Sequence, residues 1–342
     1  MYQLNTLSLR DEQAVAWDNF VTASDEASFF HLSGWQHIIA DAGHRCYYLY
    51  ATQNNLIVGV LPLARVKSIL FGDALVSTPF CVYGGAVGEP AVKRFLEQEA
   101  VKLATSLQVK HIELRYKTLQ DNDFTTRSQH AYFACELAET AEQILANVKK
   151  KQRAVIRHAL NEPLQYTLDT NPTDFYQTYS ESVRNLGTPV FSKAFFQKIM
   201  QVFPEQSEIL TVRKDQQPVS SVLSFYYKGE VLPYYGGGIS EAKALKSNDF
   251  MYYQLMCHAR QDKTCQRYDF GRSKLDSGAY QYKKHWGMEA TELHYQYKLI
   301  TGLQLPNLSP NNPKYQLFIR LWQKLPLPVS QWIGPWLSRY LG

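Results

Sequence analysis

The chain repeats its own order of elements, and that repeat constrains its fold more than any other feature. In the first half, Trp35, Ile38 and Ile39 fall on one side of a short helix over 33–42. Strands over 46–51 and 56–66 flank the polar turn Gln53-Asn54-Asn55, which makes a hairpin. More strand follows over 75–82, then Tyr83-Gly84-Gly85. Pro90 opens a helix to about Leu107, where its missing N–H costs little, and His111-Ile112-Glu113-Leu114-Arg115 alternates as a strand. The second half runs in the same order. Asp174 is the expected N-cap of a helix carrying Phe175, Tyr176 and Tyr179, and a second helix covers 191–203. Strands over 209–213, 219–227 and 231–235 lead to Tyr235-Gly236-Gly237-Gly238, then a helix over 249–261 and a strand over 267–270. A period of about 150 residues means a domain duplication, not a solenoid, and 342 residues suit two domains.

Composition narrows the class. Apolar residues make up 45% and charged residues 20%, a globular balance without a disorder signature. A net charge of +5 permits an anionic partner without requiring nucleic acid. The five cysteines are odd in number and form no CxxC pair, which argues against a disulfide framework and a zinc ribbon and fits a reduced compartment. The nine histidines show no metal-ligand spacing, so no metal is expected. MYQLNTLSLRDEQ lacks the pattern of a signal peptide, and no apolar run reaches the ~18 residues of a membrane span. A cytoplasmic location is the expectation.

The richest stretch is DFGRSKLDSGAYQYKKHWG, residues 269–287. It gathers Arg272, Lys274, Lys283 and Lys284 with Tyr280, Tyr282 and Trp286, between Gly271, Gly278 and Gly287. Cations on a glycine-punctuated loop suit an anion or a developing oxyanion; a solvated basic loop is the plain alternative. A second basic run, KKKQRAVIRHA, carries Arg153 and Arg157 on a helix opened by the capping box Thr140-Ala141-Glu142-Gln143 and running to about Leu160. It reads either as a solvated face joining two domains or as a phosphate or tRNA contact. The tail from 303 onward begins with prolines and asparagines, continues as a helix over 315–325, and ends LPLPVSQWIGPWLSRYLG. Trp322, Trp332 and Trp336 among Lys324 and Arg339 fit a segment lying on a bilayer surface; packing across the domains is the other reading. Other motifs mislead. Asp269-Phe270-Gly271 spells a kinase motif without its companions, and His37 with Asp41 spells HxxxD inside an ordinary helix. GxSxG, HExxH and P-loop patterns are absent.

With these segments in hand, the chain resembles the FemAB-like proteins of the GNAT acyltransferase superfamily. The likeness is closest to those associated with exosortase/PEP-CTERM and exopolysaccharide systems. It rests on LFGDALVSTPFCVYGG, KKKQRAVIRHA, RNLGTPVFSKAFF, LPYYGGG, DFGRSK, YQYKKHWG, and the NPKYQLFIRLWQKLP and GPWLSRYL tail. The resemblance implies an α/β (α+β) fold of tandem duplicated GNAT-like domains, each a mixed, mostly antiparallel sheet flanked by helices. The expected bounds are 1–139 and 163–302 for the domains, 140–162 for a basic connecting helix, and 303–342 for an aromatic, helical tail.

It also implies N-acyl or aminoacyl transfer to an amino group. The family pattern G-x-x-F-K-x-x-F-G is similar to the segment from Gly278 to Gly287, and the match places Lys283 beside the acyl carbonyl, with Tyr282 and Trp286 as its aromatics. A fixed cation there lowers the barrier to the tetrahedral oxyanion. His285 or Tyr282 would carry the proton. Arg272, Lys274, Tyr280, Tyr235, Gly236, Gly237, Arg153 and Arg157 would hold substrate. No certain cofactor follows: the donor stays open between aminoacyl-tRNA and acyl-CoA, since no clean pyrophosphate loop and no long helical arm occur. The acceptor would be an amino-bearing, lipid-linked saccharide or peptide precursor, with peripheral membrane contact through the tail. A CoA-dependent acetyltransferase and a non-catalytic scaffold of a polysaccharide-synthesis complex are the competing readings.

Overall fold

The computed structural model describes residues 1–68, 72–301 and 313–340. The chain begins β1 (Gln3–Leu7), α1 (Gln13–Ala23), α2 (Gly34–Asp41), β2 (Arg45–Gln53), β3 (Leu56–Ser68), β4 (Gly72–Ser77), β5 (Val87–Gly88), α3 (Pro90–Ser106) and β6 (His111–Tyr116). It continues β7 (Thr125–Glu136), α4 (Ala141–Asn147), α5 (Lys150–Leu160), β8 (Leu164–Asp169), α6 (Thr173–Asn185), α7 (Lys193–Val202), β9 (Ser207–Lys214), β10 (Gln217–Tyr227) and β11 (Glu230–Gly238). It ends α8 (Ala242–Leu245), α9 (Ser247–Gln261), β12 (Arg267–Lys274), α10 (Gly278–His285), β13 (Ala290–Leu299), α11 (Pro313–Trp322) and α12 (Leu327–Ser338). The proline- and asparagine-rich start of the tail, 303–312, lies outside the described residues.

Two compact units result, and neither is continuous in sequence. One holds the described residues of 1–128, 293–312 and 339–342; the other holds 129–292 and 313–338. In the first unit the strands run β1-β2-β3-β4-β6-β13, antiparallel except for the parallel pair β4 and β6, and β5 pairs with β3. In the second they run β8-β9-β10-β11-β12-β7, antiparallel except for β11 and β12. Each unit thus carries the same β-α-α-β-β-β-α-β series, and the repeat seen in the sequence is a repeat of topology. The sixth strand of each unit comes from the far half of the chain, β13 for the first and mostly β7 for the second.

Burial explains the layers. In the first unit, Val92, Leu96, Ala100 and Ala104 recur along one face of α3 and close over Leu61, Leu63, Leu75, Ile112 and Leu114 of the sheet. In the second, α9 packs Phe250, Met251, Leu255, Met256 and Ala259 against Leu210, Val212, Val222 and Val231.

Several local expectations are corrected. Strand β4 stops at Ser77, and 78–82 forms a turn and coil because Arg115 N–H bonds Ser77 Oγ at 2.9 Å and Cys81 N–H turns back to Thr78 O. The helix over 141–160 is two helices. Thr140 and Gln143 cap the first reciprocally as read, but Val148 and Lys149 are extended, and Val148 is buried in the core. Asp174 is not the cap of α6; it sits in the first turn and accepts from Arg213 Nη2 at 2.7 Å. Strand β11 runs on through Gly236, Gly237 and Gly238, paired with Val222, Ser221 and Ser220. The basic stretch 269–287 is a strand, a turn and a helix rather than a loop.

The C-terminal end of α9 is pinned by charge. His258 Nε2 and Nδ1 each lie 2.7 Å from a carboxylate oxygen, of Glu208 and Asp262 respectively. Lys263 and Tyr226 also bond Glu208, so although burial pushes Glu208 up, these donors together hold it at about 2. The bond to Glu208 raises His258 above 6.5 against the opposing effect of burial. Its stabilising contribution is therefore fully present below pH ~6.5 and fades as the pH rises through the higher folded value. Urea unfolding of wild type and His258→Gln from pH 5.5 to 9 should show a gap that narrows with rising pH; a constant gap would contradict the imidazolium.

Candidate active site in the second unit

The site grows from one broken pairing. Strands β11 and β12 are parallel partners only at Glu230 with Arg267 and Val231 with Tyr268. Both strands continue, to Gly238 and Lys274, paired with β10 and β7 but no longer with each other, so they splay. Irregularities accompany the splay. The register of β11 on β10 shifts at Tyr234, and that of β12 on β7 shifts at Phe270, beside Gly271 with φ +75°.

The corresponding parallel pair of the first unit is closed by its own chain. Beyond Val76 and Glu113, all residues of 78–86 are buried. Gly84 N–H donates to Arg115 O at 2.8 Å, Arg115 Nη1 to Cys81 O at 2.6 Å, and Ala86 N–H to Tyr116 Oη at 3.0 Å. Gly85, at φ +99°, lets the Tyr116 ring pass where a Cβ would collide. Just before α3, Glu26 accepts from Gly88 N–H at 2.7 Å and from Lys93 Nζ at 2.9 Å. Tyr83-Gly84-Gly85 is thus a plug, whereas Tyr235-Gly236-Gly237 is strand.

Helix α10 follows the splayed end of β12. Ser277 caps it, its Oγ accepting from Tyr280 N–H at 3.2 Å. This orientation brings Lys283 back onto β12, where Nζ donates to Gly271 O at 3.0 Å and Arg272 O at 3.1 Å. The rings of Phe270 and Phe133 lie 5.3 and 5.9 Å from the ammonium. Burial pulls Lys283 down to about 8; Asp269 opposes that shift and Arg272 adds to it. Asp269 is itself buried and accepts from Gly271 N–H at 2.8 Å. An ammonium has three donors, and the two main-chain carbonyls use two of them.

A buried carboxyl fixes α10 from the other side. Asp249, in the first turn of α9, accepts from Tyr282 Oη at 2.8 Å and Gln152 Nε2 at 2.6 Å. Burial raises Asp249 above 3.8, partly offset by these two donors. Tyr252, Phe270, Tyr282 and Trp286 form an edge-to-face group around it, with Tyr252 and Phe270 centroids 4.7 Å apart. A Cβ at Gly236 would lie 3.1 Å from Tyr252 Oη, and one at Gly237 would collide with Ser182.

Among the residues singled out from sequence, the fold brings Lys283, Tyr282, Tyr280, Arg272 and Gly236 to this region. Tyr280 packs edge-on against Phe133 at 5.1 Å. Tyr235 points its ring instead into a cluster with Tyr179, Phe191, Phe195 and Phe196. Lys274 stands at the end of β12 opposite His130, and His285 is exposed at the end of α10. On α5, Arg153 is half-buried with no hydrogen-bond partner at Nε, and Arg157 is exposed. Sequence reading missed Asp249, Gln152, Phe133 and the role of Asp269. Asp249 registered only as a helix start, and Gln152 as one polar residue in a basic run. Among the described residues, no three His, Cys, Asp or Glu side chains cluster to hold a metal ion.

Comparison with known proteins bears on the fold. Residues 145–284 match the family model described as an acetyltransferase (GNAT) domain. FemX superposes with a TM-score of 0.65 at 13% identity, over 93% of this chain and 100% of its own. L-PGS from Bacillus licheniformis gives 0.57 at 11% identity, over 92% and 98%. A tandem GNAT protein from the clavulanic acid biosynthesis pathway gives 0.54 at 10% identity, over 89% and 100%. No curated protein matches the sequence. The fold is tandem GNAT-like, with a mixed sheet flanked by helices in each unit.

The depressed Lys283 has a consequence for stability. Its folded value of about 8 lies below the ordinary 10.5, so between those limits the unfolded chain holds more protons and stability rises with pH. Lys283→Met lacks this term. The stability difference, wild type minus Lys283→Met, should grow from pH 8 to 10.5 in denaturant titrations; a flat difference would refute the lowered Lys283 value.

Proposed function

We propose that this chain is an N-acyltransferase whose reacting centre lies in the second unit, at the splay of β11 and β12 beside Lys283. One observation carries the reading: the splay is closed by chain in the first unit and unpaired in the second, where a desolvated ammonium is fixed onto β12. The GNAT family match over 145–284 supports it, because it covers this same unit.

The chemistry follows from the groups present. An acceptor amine attacks the acyl carbonyl, a C–N bond forms, and the carbonyl oxygen takes up negative charge. The remaining N–H of Lys283 stabilises that oxyanion in a site where low polarity strengthens the interaction. Collapse breaks the C–O bond of an ester donor or the C–S bond of a thioester, and the amine's proton passes to the leaving group. His285 and Tyr282 are the proposed proton carriers; Tyr282 also ties α10 to Asp249 and so sets the position of Lys283. Arg272, Lys274, Arg153 and Arg157 are proposed to hold anionic parts of donor or acceptor, and Tyr280 and Gly236 to line the substrate path; Tyr235, turned into its aromatic cluster, and Gly237, against Ser182, would support that path from behind.

The proposed acceptor is an amino-bearing, lipid-linked saccharide or peptide precursor of the envelope or of an exopolysaccharide, the exosortase-associated setting that the sequence resemblance implies. A structural neighbour whose name joins a lysyl group to a lipid supports aminoacyl transfer: the C-terminal domain of a putative lysylphosphatidylglycerol synthetase from Agrobacterium fabrum, with a TM-score of 0.57 at 11% identity, over 85% of this chain and 92% of its own. The alternative donor is acyl-CoA, which the acetyltransferase family description favours.

Mass-spectrometric detection of acylated product, with charged tRNA and with acyl-CoA supplied in parallel, separates the donors. Lys283→Met should lower kcat by about 10²- to 10³-fold while the fold survives. Wild-type turnover should fall as the pH rises past about 8, when Lys283 loses its proton. Undiminished product from Lys283→Met would sink the assignment.

A further inference from the structure

The two C-terminal helices of the second unit are built inside out. Helix α12 turns small residues inward: Ser330, Gly334 and Ser338 are buried at a four-residue spacing. A Cβ on Gly334 would lie 2.8 Å from Val190 O, so the helix sits tightly on the unit at that point. Gln331 Nε2 adds a 2.7 Å bond to Ser180 Oγ of α6. The opposite face carries Val329, Trp332 and Trp336, with Trp332 74% and Trp336 66% exposed. The other four tryptophans, Trp17, Trp35, Trp286 and Trp322, are buried. Helix α11 repeats the arrangement. Trp322 is buried and Ile319 packs at Gly187, while Leu317, Phe318 and Leu321 are exposed. A water-facing helix ordinarily shows the reverse pattern.

Charge selects the partner. Over the residues of these two helices and their link, 313–338, the sequence has no Asp or Glu but has Lys314, Arg320 and Lys324. Arg320 and Lys324 are exposed on and just after α11. Among the described residues, no helix is long and apolar enough to cross a membrane. Exposed tryptophans flanked by cations, without carboxylates, match the boundary between headgroups and acyl chains, and cations gain there from anionic lipid. We infer that α11 and α12 form a docking face for the surface of an anionic bilayer, with Trp332 and Trp336 entering the headgroup region. This inference stands on the exposed faces and the charge pattern and does not depend on the acyl-transfer reading.

Flotation of the full chain with phosphatidylcholine vesicles, with and without phosphatidylglycerol, tests it. Binding should require phosphatidylglycerol, weaken with salt, and shift tryptophan emission to the blue. The double variant W332A/W336A should bind at least about tenfold less, with an unchanged thermal unfolding midpoint. Arg320→Gln with Lys324→Gln should cost a few-fold for each charge removed. Absence of binding to anionic vesicles at low salt overturns the inference, as does full binding by W332A/W336A. A dimer in light scattering that W332A/W336A dissolves would also overturn it, since a second copy would then cover the face.

Discussion

The two-residue parallel contact between β11 and β12 is the constraint on which the second unit depends. Parallel pairing holds Glu230–Val231 to Arg267–Tyr268 and then ends. Had it continued, the main-chain groups of both strands would be spent on each other. The bulges at Tyr234 and Phe270 bend the strands away, and the glycines on either side make the bend affordable in steric terms. Gly271 accepts a positive φ, and Gly236 and Gly237 admit Tyr252 and Ser182 where a side chain would block them.

The first unit shows what the same topology does without that opening. Its parallel pair is followed by a wholly buried segment whose N–H and C=O groups are tied to Arg115 and Tyr116. Arg115 is fully buried and pairs with Glu113 at 2.8 Å, so a charge inside that unit is spent on structure. In the second unit the inward charge, Lys283, meets two neutral carbonyls and stays poorly solvated. The corresponding inward charges are thus satisfied differently: Arg115 by a carboxylate, Lys283 by main-chain carbonyls.

How much was legible follows from the same contrast. The repeat, the hairpins and most helices were readable because periodicity and turn residues are local signals, as at Asn54-Asn55 and Pro90. Thr140 and Gln143 gave their cap correctly, yet the helix they open breaks at Val148, because core burial of that valine outweighs helix propensity. Lys283 stood out through a motif likeness. Asp249 and Gln152 did not, since each is an unremarkable polar residue until the fold sets them 2.6 Å apart across 97 positions. The exchange of β7 and β13 between units was equally invisible, because strand pairing over such separations leaves no trace in local pattern.

Asp249 and Asp269 show how the site divides its labour. Asp269 lies on β12 and favours the charged form of Lys283, whereas burial favours the neutral form. The balance at about 8 keeps the ammonium protonated near neutrality while leaving it weakly solvated. Asp249 acts on geometry. Through Tyr282 it holds the residue next to Lys283 on α10, and through Gln152 it ties its own helix, α9, to α5. Asp249 thus bears on where α10 sits and Asp269 on the charge of Lys283, while the carbonyls of Gly271 and Arg272 hold the ammonium itself. On the proposed reading, a cation held in this way would interact with a developing oxyanion more strongly than with a neutral carbonyl, which is the differential binding that acyl transfer requires.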